Sequence, residues 1–146
     1  MRGEYLLTEH DLLQGRTHYD TIGMGSYNID IREVQRTWID VPRAMRLTTD
    51  TVNEGYLSIP VPAYQIPYRV LVPRYDECDN LLVPVCVSAS HVAFSSIRME
   101  PQYMLLGHAA GVAATVAAEQ GSAVQRVPAA TLQARLRDQG QVLGLP

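Results

Sequence analysis

The pattern of apolar and polar positions differs between the two halves of the chain. Up to about residue 75, short apolar runs alternate with polar segments rich in glycine or proline, which is typical of short strands and rigid loops. The stretch VQRTWID at residues 34–40 predicts a strand, and residues 47–59 predict a hairpin that turns at residues 53–55. Further short elements are predicted as strands at residues 3–8, about 26–29 and 68–73, and as a helical turn from Thr8 to Leu13.

The second half has longer apolar stretches. The sequence LLVPVCVSA at residues 81–89 is apolar and β-branched, which predicts a strand buried on both faces. A helix is predicted over about residues 101–120, because Pro101 suits a first helical turn and Gly121 suits a helix end. A second helix is predicted over about residues 128–139.

Small side chains occupy one face of the longer predicted helix. Gly107 and Gly111 lie four residues apart and therefore share a face. A glycine inside a helix costs about 1 kcal/mol relative to alanine, which indicates that something approaches this helix closely. Tight packing against a sheet or another helix is the commoner reason, and a flat ligand is the other. The helix N-terminus adds free amide donors and partial positive charge, which attract anions and carbonyl groups.

The composition excludes several classes of protein. The chain has 146 residues and a formal net charge of −3, and its 12 basic residues are all arginines that form no run. It therefore lacks the basic stripe of a nucleic-acid-binding protein. The longer helix is interrupted by His108, whereas a membrane span needs about 20 predominantly apolar residues, so we expect no membrane partner. Cys78 and Cys86 fit no metal or disulfide pattern, so we expect reduced, packed cysteines in a cytoplasmic protein.

One long segment carries a resemblance to a known family. Residues 78–114 read CDNLLVPVCVSASHVAFSSIRMEPQYMLLGHAAGVAA, which resembles the C-terminal part of FAD-dependent oxidoreductases related to the fumarate reductase and glutathione reductase type. The stretches IGMGSYNIDIREVQR at residues 22–36 and IPYRVLVPRYDECDNLL at residues 66–82 are similar to the same family. The resemblance covers roughly residues 3–143 and departs at Arg32, where relatives carry histidine.

The resemblance implies an α+β fold that is a fragment of a larger protein. Residues 1–75, with short strands and proline-rich loops, would be part of a substrate or cap domain. Residues 76–146 would hold the last strand and the C-terminal helices of an α/β FAD-binding domain of the Rossmann type. The family's N-terminal dinucleotide-binding unit has no counterpart here, because the glycine-rich string at residues 23–28 lacks a third glycine and a helix opening. We therefore expect this missing half to be supplied in cis or in trans.

The resemblance also implies an FAD site. In the family, the helix after the last strand directs its N-terminus at the pyrimidine edge of the flavin, where its dipole stabilises negative charge on the reduced ring. The residues that would bind the cofactor are therefore Ser90, Ser96, Arg98, Met99, Glu100, Pro101, Gln102 and Gly107.

Three residues are candidates for catalysis. His91 would touch substrate or flavin and carry a proton, although a hydrogen bond to a loop carbonyl explains it equally well. Tyr68 and Arg69 lie between rigid prolines and suit a substrate carboxylate or hydroxyl, although a sheet-edge aromatic beside a surface arginine is the commoner arrangement. We expect no metal site. A less favoured function is a small metal-dependent hydrolase that would use His10, His18 and His91.

The function that the resemblance implies is hydride transfer from a small organic substrate to FAD. The chain would be the C-terminal segment of that oxidoreductase and would be inactive in isolation. The alternative is a non-catalytic remnant or interaction module, which folds only against a partner that supplies the dinucleotide-binding half. A flavin spectrum in the purified protein distinguishes the two.

Overall fold

A computed structural model of the chain describes residues 1–38 and 51–145. Over these residues the chain has the predicted α+β fold, with short antiparallel strands followed by helices. The strands are β1 (Thr21–Gly25), β2 (Ile29–Ile31), β3 (Gln35–Trp38), β4 (Thr51–Glu54), β5 (Leu57–Ile59) and β6 (Tyr64–Pro67). The α-helices of the described residues are α1 (Glu9–Leu13), α2 (His91–Ile97), α3 (Glu100–Gln120) and α4 (Ala129–Asp138).

Two segments of the chain run side by side as a long antiparallel ribbon. β1 pairs with β6, β2 with β5 and β3 with β4, so three two-stranded sheets follow one another along the same pair of segments. The register stays nearly constant, from Gly25 opposite Tyr64 to Gln35 opposite Glu54. The hairpin predicted over residues 47–59 is therefore wrong where the chain is described, because β4 and β5 each pair with an earlier strand.

The base of the ribbon is buried against the helices, whereas its outer part is exposed. Ile22 in β1 and Ile66 in β6 are fully buried, but Leu57 in β5 is 42% exposed. Both α3 and α4 pack on β1, and they also pack on each other. The two helices bury Leu106, Ala109, Ala113, Val116, Leu132 and Leu136. This core fixes α3 relative to the base of the ribbon.

The helices begin and end where their sequence signals indicate. Thr8 and Asp11 form a capping box at the start of α1. Helix α3 carries Pro101 in its first turn and ends at Gly121, whose φ of 57° is left-handed. The predicted helical turn and both longer helices are therefore confirmed.

The strand predicted at residues 81–89 is wrong. These residues form bends, and a single bridge between Leu7 and Ala89 is their one β-type pairing in the described residues. Leu81 is 46% exposed and Val85 is 50% exposed. A strand of this composition needs paired strands on both sides, but in the described part of the chain these residues make only scattered backbone hydrogen bonds to Leu7, Val70 and Leu71.

Two other predicted strands are also wrong, and one helix was missed. Residues 68–73 begin with a 3-10 turn at Tyr68–Val70 instead of a strand. Residues 3–8 make isolated bridges only. Helix α2 lies between the elements predicted at residues 81–89 and 101–120, where no helix is predicted; Ser90 accepts a 3.2 Å hydrogen bond from the amide of Ala93 and caps it.

The remaining predictions are confirmed in part. The strand predicted over residues 34–40 is present as β3, and the one at about residues 26–29 lies two or three residues later as β2. Residues 39–50, which include parts of two predicted elements, lie outside the described residues. Cys78 is half-buried as a free cysteine, whereas Cys86 is exposed, so the packing predicted for Cys86 is wrong. No helix in the described residues is long and apolar enough to cross a bilayer.

Candidate functional site

Most of the predicted site residues lie along α2 and the first turns of α3. Ser90 caps α2, and His91 is its first residue. Arg98 follows the last residue of α2, and Met99 is the N-cap of α3. The short helix therefore connects the segment before residue 90 to the start of α3.

A cavity of about 270 Å³ lies between β2 and α2. Its volume is at the lower end of the range for small-molecule sites. The side chains that line it combine charged groups with apolar ones: Asp30, Arg32, Val34, His91, Phe94 and Arg98. The structure thus brings two predicted site residues, His91 and Arg98, into one cavity.

Arg98 is tied to the ribbon by several hydrogen bonds. Its Nη2 donates to the Asp30 carbonyl oxygen at 3.1 Å and lies 3.5 Å from Asp30 Oδ2. Its Nε donates to the Ser95 carbonyl oxygen at 3.4 Å, and the Ser95 hydroxyl accepts from the Asp30 amide at 3.2 Å. These bonds hold β2 against the end of α2 and fix one wall of the cavity.

The buried side chain of Ser96 forms hydrogen bonds within the protein. Its hydroxyl donates to the Tyr27 carbonyl oxygen at 2.5 Å and lies 2.8 Å from the Tyr64 hydroxyl. Burial raises the pKa of Tyr64 to about 12, against an opposing contribution from the hydrogen bond with Ser96. Ser96 therefore supports the ribbon beneath the cavity, and the cofactor contact expected of it stays a prediction.

The first turn of α3 presents the groups expected of a flavin site. Glu100 and Pro101 are exposed, and the amide of Tyr103 donates to the Met99 carbonyl oxygen at 3.0 Å. The side-chain oxygen of Gln102 is buried without a hydrogen-bond partner in the described residues. A buried acceptor without a partner costs about 1–3 kcal/mol, and the described residues contain further buried atoms of this kind in His18, Ser122 and Gln125.

The exposed face of α3 is as flat as the sequence predicts. A Cβ atom built on Gly107 or Gly111 meets nothing within 4 Å. Met104, one turn earlier on the same side of the helix, is 74% exposed, so the flat part of this face begins at Gly107. The free amides of the first turn suit carbonyl oxygens such as those at the pyrimidine edge of a flavin.

Tyr68 and Arg69 lie at a different cavity from His91. The Tyr68 hydroxyl donates to the Val124 carbonyl oxygen at 2.8 Å, and burial raises its pKa. Arg69 donates from Nε to Oδ2 of buried Asp20 at 3.0 Å and from Nη2 to Oδ1 at 3.2 Å. Both side chains have structural partners, and the catalytic role assigned to them stays a prediction.

Aromatic rings enclose the Arg69 guanidinium. Its central carbon lies 4.8 Å from the centre of the Tyr5 ring and 4.9 Å from that of Tyr19. The hydrogen bond with Asp20 raises the pKa of Arg69. The sequence does not reveal this pair, because 49 residues separate Asp20 from Arg69.

A second buried cluster joins α1 to the loop before β1. Asp11 lies 1% exposed, and Oδ1 of its carboxylate is 3.6 Å from Nε2 of His18. Burial lowers the pKa of His18, although Asp11 and Asp20 favour its charged form. The His10 side chain is 59% exposed. Within residues 1–38 and 51–145, no group of three or more His, Cys, Asp or Glu side chains is arranged to hold a metal ion.

The family model described as FAD dependent oxidoreductase matches residues 1–136, and the chain belongs to this family. FAD is the cofactor that the family implies. No curated protein and no solved structure matches the chain.

Proposed function

We propose that this chain is the C-terminal segment of an FAD-dependent oxidoreductase of the fumarate reductase and glutathione reductase type, which transfers a hydride from a small organic substrate to flavin. The observation that carries the proposal is the match of the FAD dependent oxidoreductase family model to residues 1–136, together with the exposed, small-residue face of the 21-residue helix α3. The first turn of this helix offers backbone donors and the positive end of the helix dipole to one edge of a planar heterocycle. FAD, when bound there, supplies the hydride acceptor.

The residues of the proposed site divide the other tasks. The positive end of α3 stabilises negative charge at the flavin edge through the helix dipole, whereas the exposed Glu100 carboxylate opposes this effect. Gly107 leaves the helix surface low enough for close approach. His91 is exposed at the cavity and takes the proton that the substrate loses as its hydride leaves. Arg98, held by Asp30, keeps the cavity wall in place.

The described residues also present an apolar surface that fits a partner. Leu81 and Val85 are about half exposed, and Met104 on α3 is 74% exposed. We propose that the dinucleotide-binding half, supplied in cis or in trans, covers this surface and converts residues 81–89 into the strand that their composition favours. A non-catalytic interaction module would use the same surface, so exposure alone does not separate the two functions.

Co-production of the chain with a strand–GxGxxG–helix unit tests the proposal. We expect a complex that retains FAD through gel filtration, with a flavin absorbance spectrum that is bleached by the correct substrate. Gly111→Leu, which adds bulk to the flat face of α3, is expected to prevent assembly, whereas Ala134→Leu at an exposed position of α4 is not. A complex that stays colourless in excess FAD would support the interaction module, and no complex would reject both.

A further inference from the structure

The basic side chains that line the cavity between β2 and α2 differ in whether they already have a partner within the protein. Arg98 forms an ion pair with Asp30, and its side chain is one-third exposed. Arg32 and His91 also line the cavity, but neither side chain has a hydrogen bond or an ion pair in the described residues. The Arg32 guanidinium is therefore the cation at this cavity that is available to a ligand.

The rest of the lining limits what such a ligand is. Val34 and Phe94 add apolar surface to the charged lining of the cavity. The volume of about 270 Å³ holds a molecule with only a short carbon skeleton. The Asp30 carboxylate forms part of the wall and repels a dianion more strongly than a monoanion. A small carboxylate with an apolar tail satisfies all three conditions.

We propose that this cavity binds the carboxylate of a small monoanionic substrate, with Arg32 as its ion-pair partner and with Val34 and Phe94 against its apolar tail. Arginine suits this task because its planar guanidinium offers parallel donors to both oxygens of a carboxylate. His91, at the same cavity, then lies beside the bound molecule. The inference rests on the proposed function in one respect: it takes the bound carboxylate to be the substrate that the flavin oxidises. Binding of the carboxylate itself requires no flavin.

The test measures binding of 3-methylbutanoate to the purified 146-residue chain, by chemical-shift changes in a titration. 3-Methylbutanamide has the same shape without the charge, and inorganic phosphate is the dianionic probe. We expect the carboxylate to bind at least about tenfold more tightly than the amide or phosphate, because a charge-assisted hydrogen bond exceeds a neutral one. Shifts are expected at residues of β2 and α2.

Variants assign the binding to one side chain. Arg32→Gln is expected to weaken carboxylate binding about tenfold and to leave amide binding unchanged. Arg36→Gln, an exposed arginine on β3 that does not line the cavity, is the matched control and is expected to change neither. Circular dichroism establishes that each variant has folded. The proposal is overturned if the carboxylate does not bind, if the amide or phosphate binds as tightly, or if both variants lose the same affinity.

Failure of this inference is distinguishable from failure of the proposed function. Carboxylate binding that depends on Arg32, in a chain whose assembled complex takes up no FAD, would reject the flavoprotein function and keep the anion site. A flavin-loaded complex whose chain binds carboxylate equally well after Arg32→Gln would reject the anion site and keep the flavoprotein function. The two measurements use different protein samples and different signals.

Discussion

The hydroxyl of Tyr5 donates a 2.6 Å hydrogen bond to Oδ1 of Asp11, a carboxylate that is 1% exposed. The other carboxylate oxygen accepts from the amide of Thr8 at 2.8 Å and from its hydroxyl at 3.0 Å. Burial opposes ionisation of Asp11, but the hydrogen bonds from Tyr5 and Thr8 outweigh it and lower the pKa of Asp11. The charged carboxylate thus caps α1 and joins it to the preceding segment.

Replacing Tyr5 by phenylalanine tests this bond. Tyr5→Phe keeps the ring that faces Arg69 but removes one donor from a buried carboxylate, and we expect a loss of about 1–2 kcal/mol in the free energy of unfolding. Urea denaturation followed by circular dichroism measures it. Tyr56→Phe, at a side chain that is 60% exposed, is the control and should leave the urea midpoint unchanged. An unchanged midpoint for Tyr5→Phe would show that the bond contributes nothing to stability.

The stability of the chain should fall with acidification in two steps. Burial lowers the pKa of His18 in the folded chain, so below about pH 6.5, its ordinary pKa, the unfolded chain binds a proton that the folded chain does not. The lowered pKa of Asp11 adds a second loss, which begins near its ordinary pKa of about 4. We expect the melting temperature to decrease between pH 7.5 and pH 5.5 and again below pH 4.

His18→Gln is expected to flatten the first of these two steps. His10→Gln, at a side chain that is 59% exposed, serves as the control and should keep the wild-type slope. Differential scanning calorimetry at half-unit pH intervals measures both. Equal slopes for the two variants would mean that His18 is not the group whose protonation is linked to unfolding.

The sequence predicts the helices of this fold better than its strands. The limits of α3 follow from local signals, a proline in the first turn and a glycine at the end, and local signals do not depend on the rest of the chain. Strand pairing depends on residues far apart, so the pattern at residues 47–59 could not reveal that β4 and β5 pair with earlier strands. Composition alone likewise mispredicted residues 81–89, because it reports a preference and not the presence of a neighbouring strand.

The candidate site shows the same difference between local signals, which the sequence reveals, and long-range contacts, which it does not. His91 and Arg98 are close in sequence, and the seven-residue helix α2 between them brings both to one cavity. The partner of Arg98 is Asp30, which lies 68 residues earlier and has no sequence signal that links the two. The sequence shows Arg32 only as a departure from the resembled family, and its place at the same cavity as His91 follows from the packing of α2 on β2.

The ion pair between buried Asp20 and half-buried Arg69 should contribute more to stability than an exposed ion pair. Asp20→Asn leaves the Arg69 guanidinium without its carboxylate partner between Tyr5 and Tyr19, and we expect it to destabilise the fold by about 2–3 kcal/mol. Urea denaturation measures the loss. Asp76→Asn removes the exposed partner of an arginine at 3.1 Å and should cost less than about 0.5 kcal/mol. Similar losses in the two variants would contradict the importance of burial.

The flat face of α3 should show opposite effects in the isolated chain and in the assembled protein. A Cβ atom at Gly111 meets nothing within 4 Å, so Gly111→Ala should stabilise the isolated chain by about 1 kcal/mol through helix propensity. If the face receives the flavin or the dinucleotide-binding half, the same methyl group should weaken FAD retention in the complex. Gly25→Ala is the contrasting variant, because its Cβ would lie 2.6 Å from the Tyr64 ring and should destabilise the chain itself. Thermal melting of the chain and flavin absorbance of the complex measure the two effects, and a Gly111→Ala complex with undiminished FAD would show that nothing packs closely on this face.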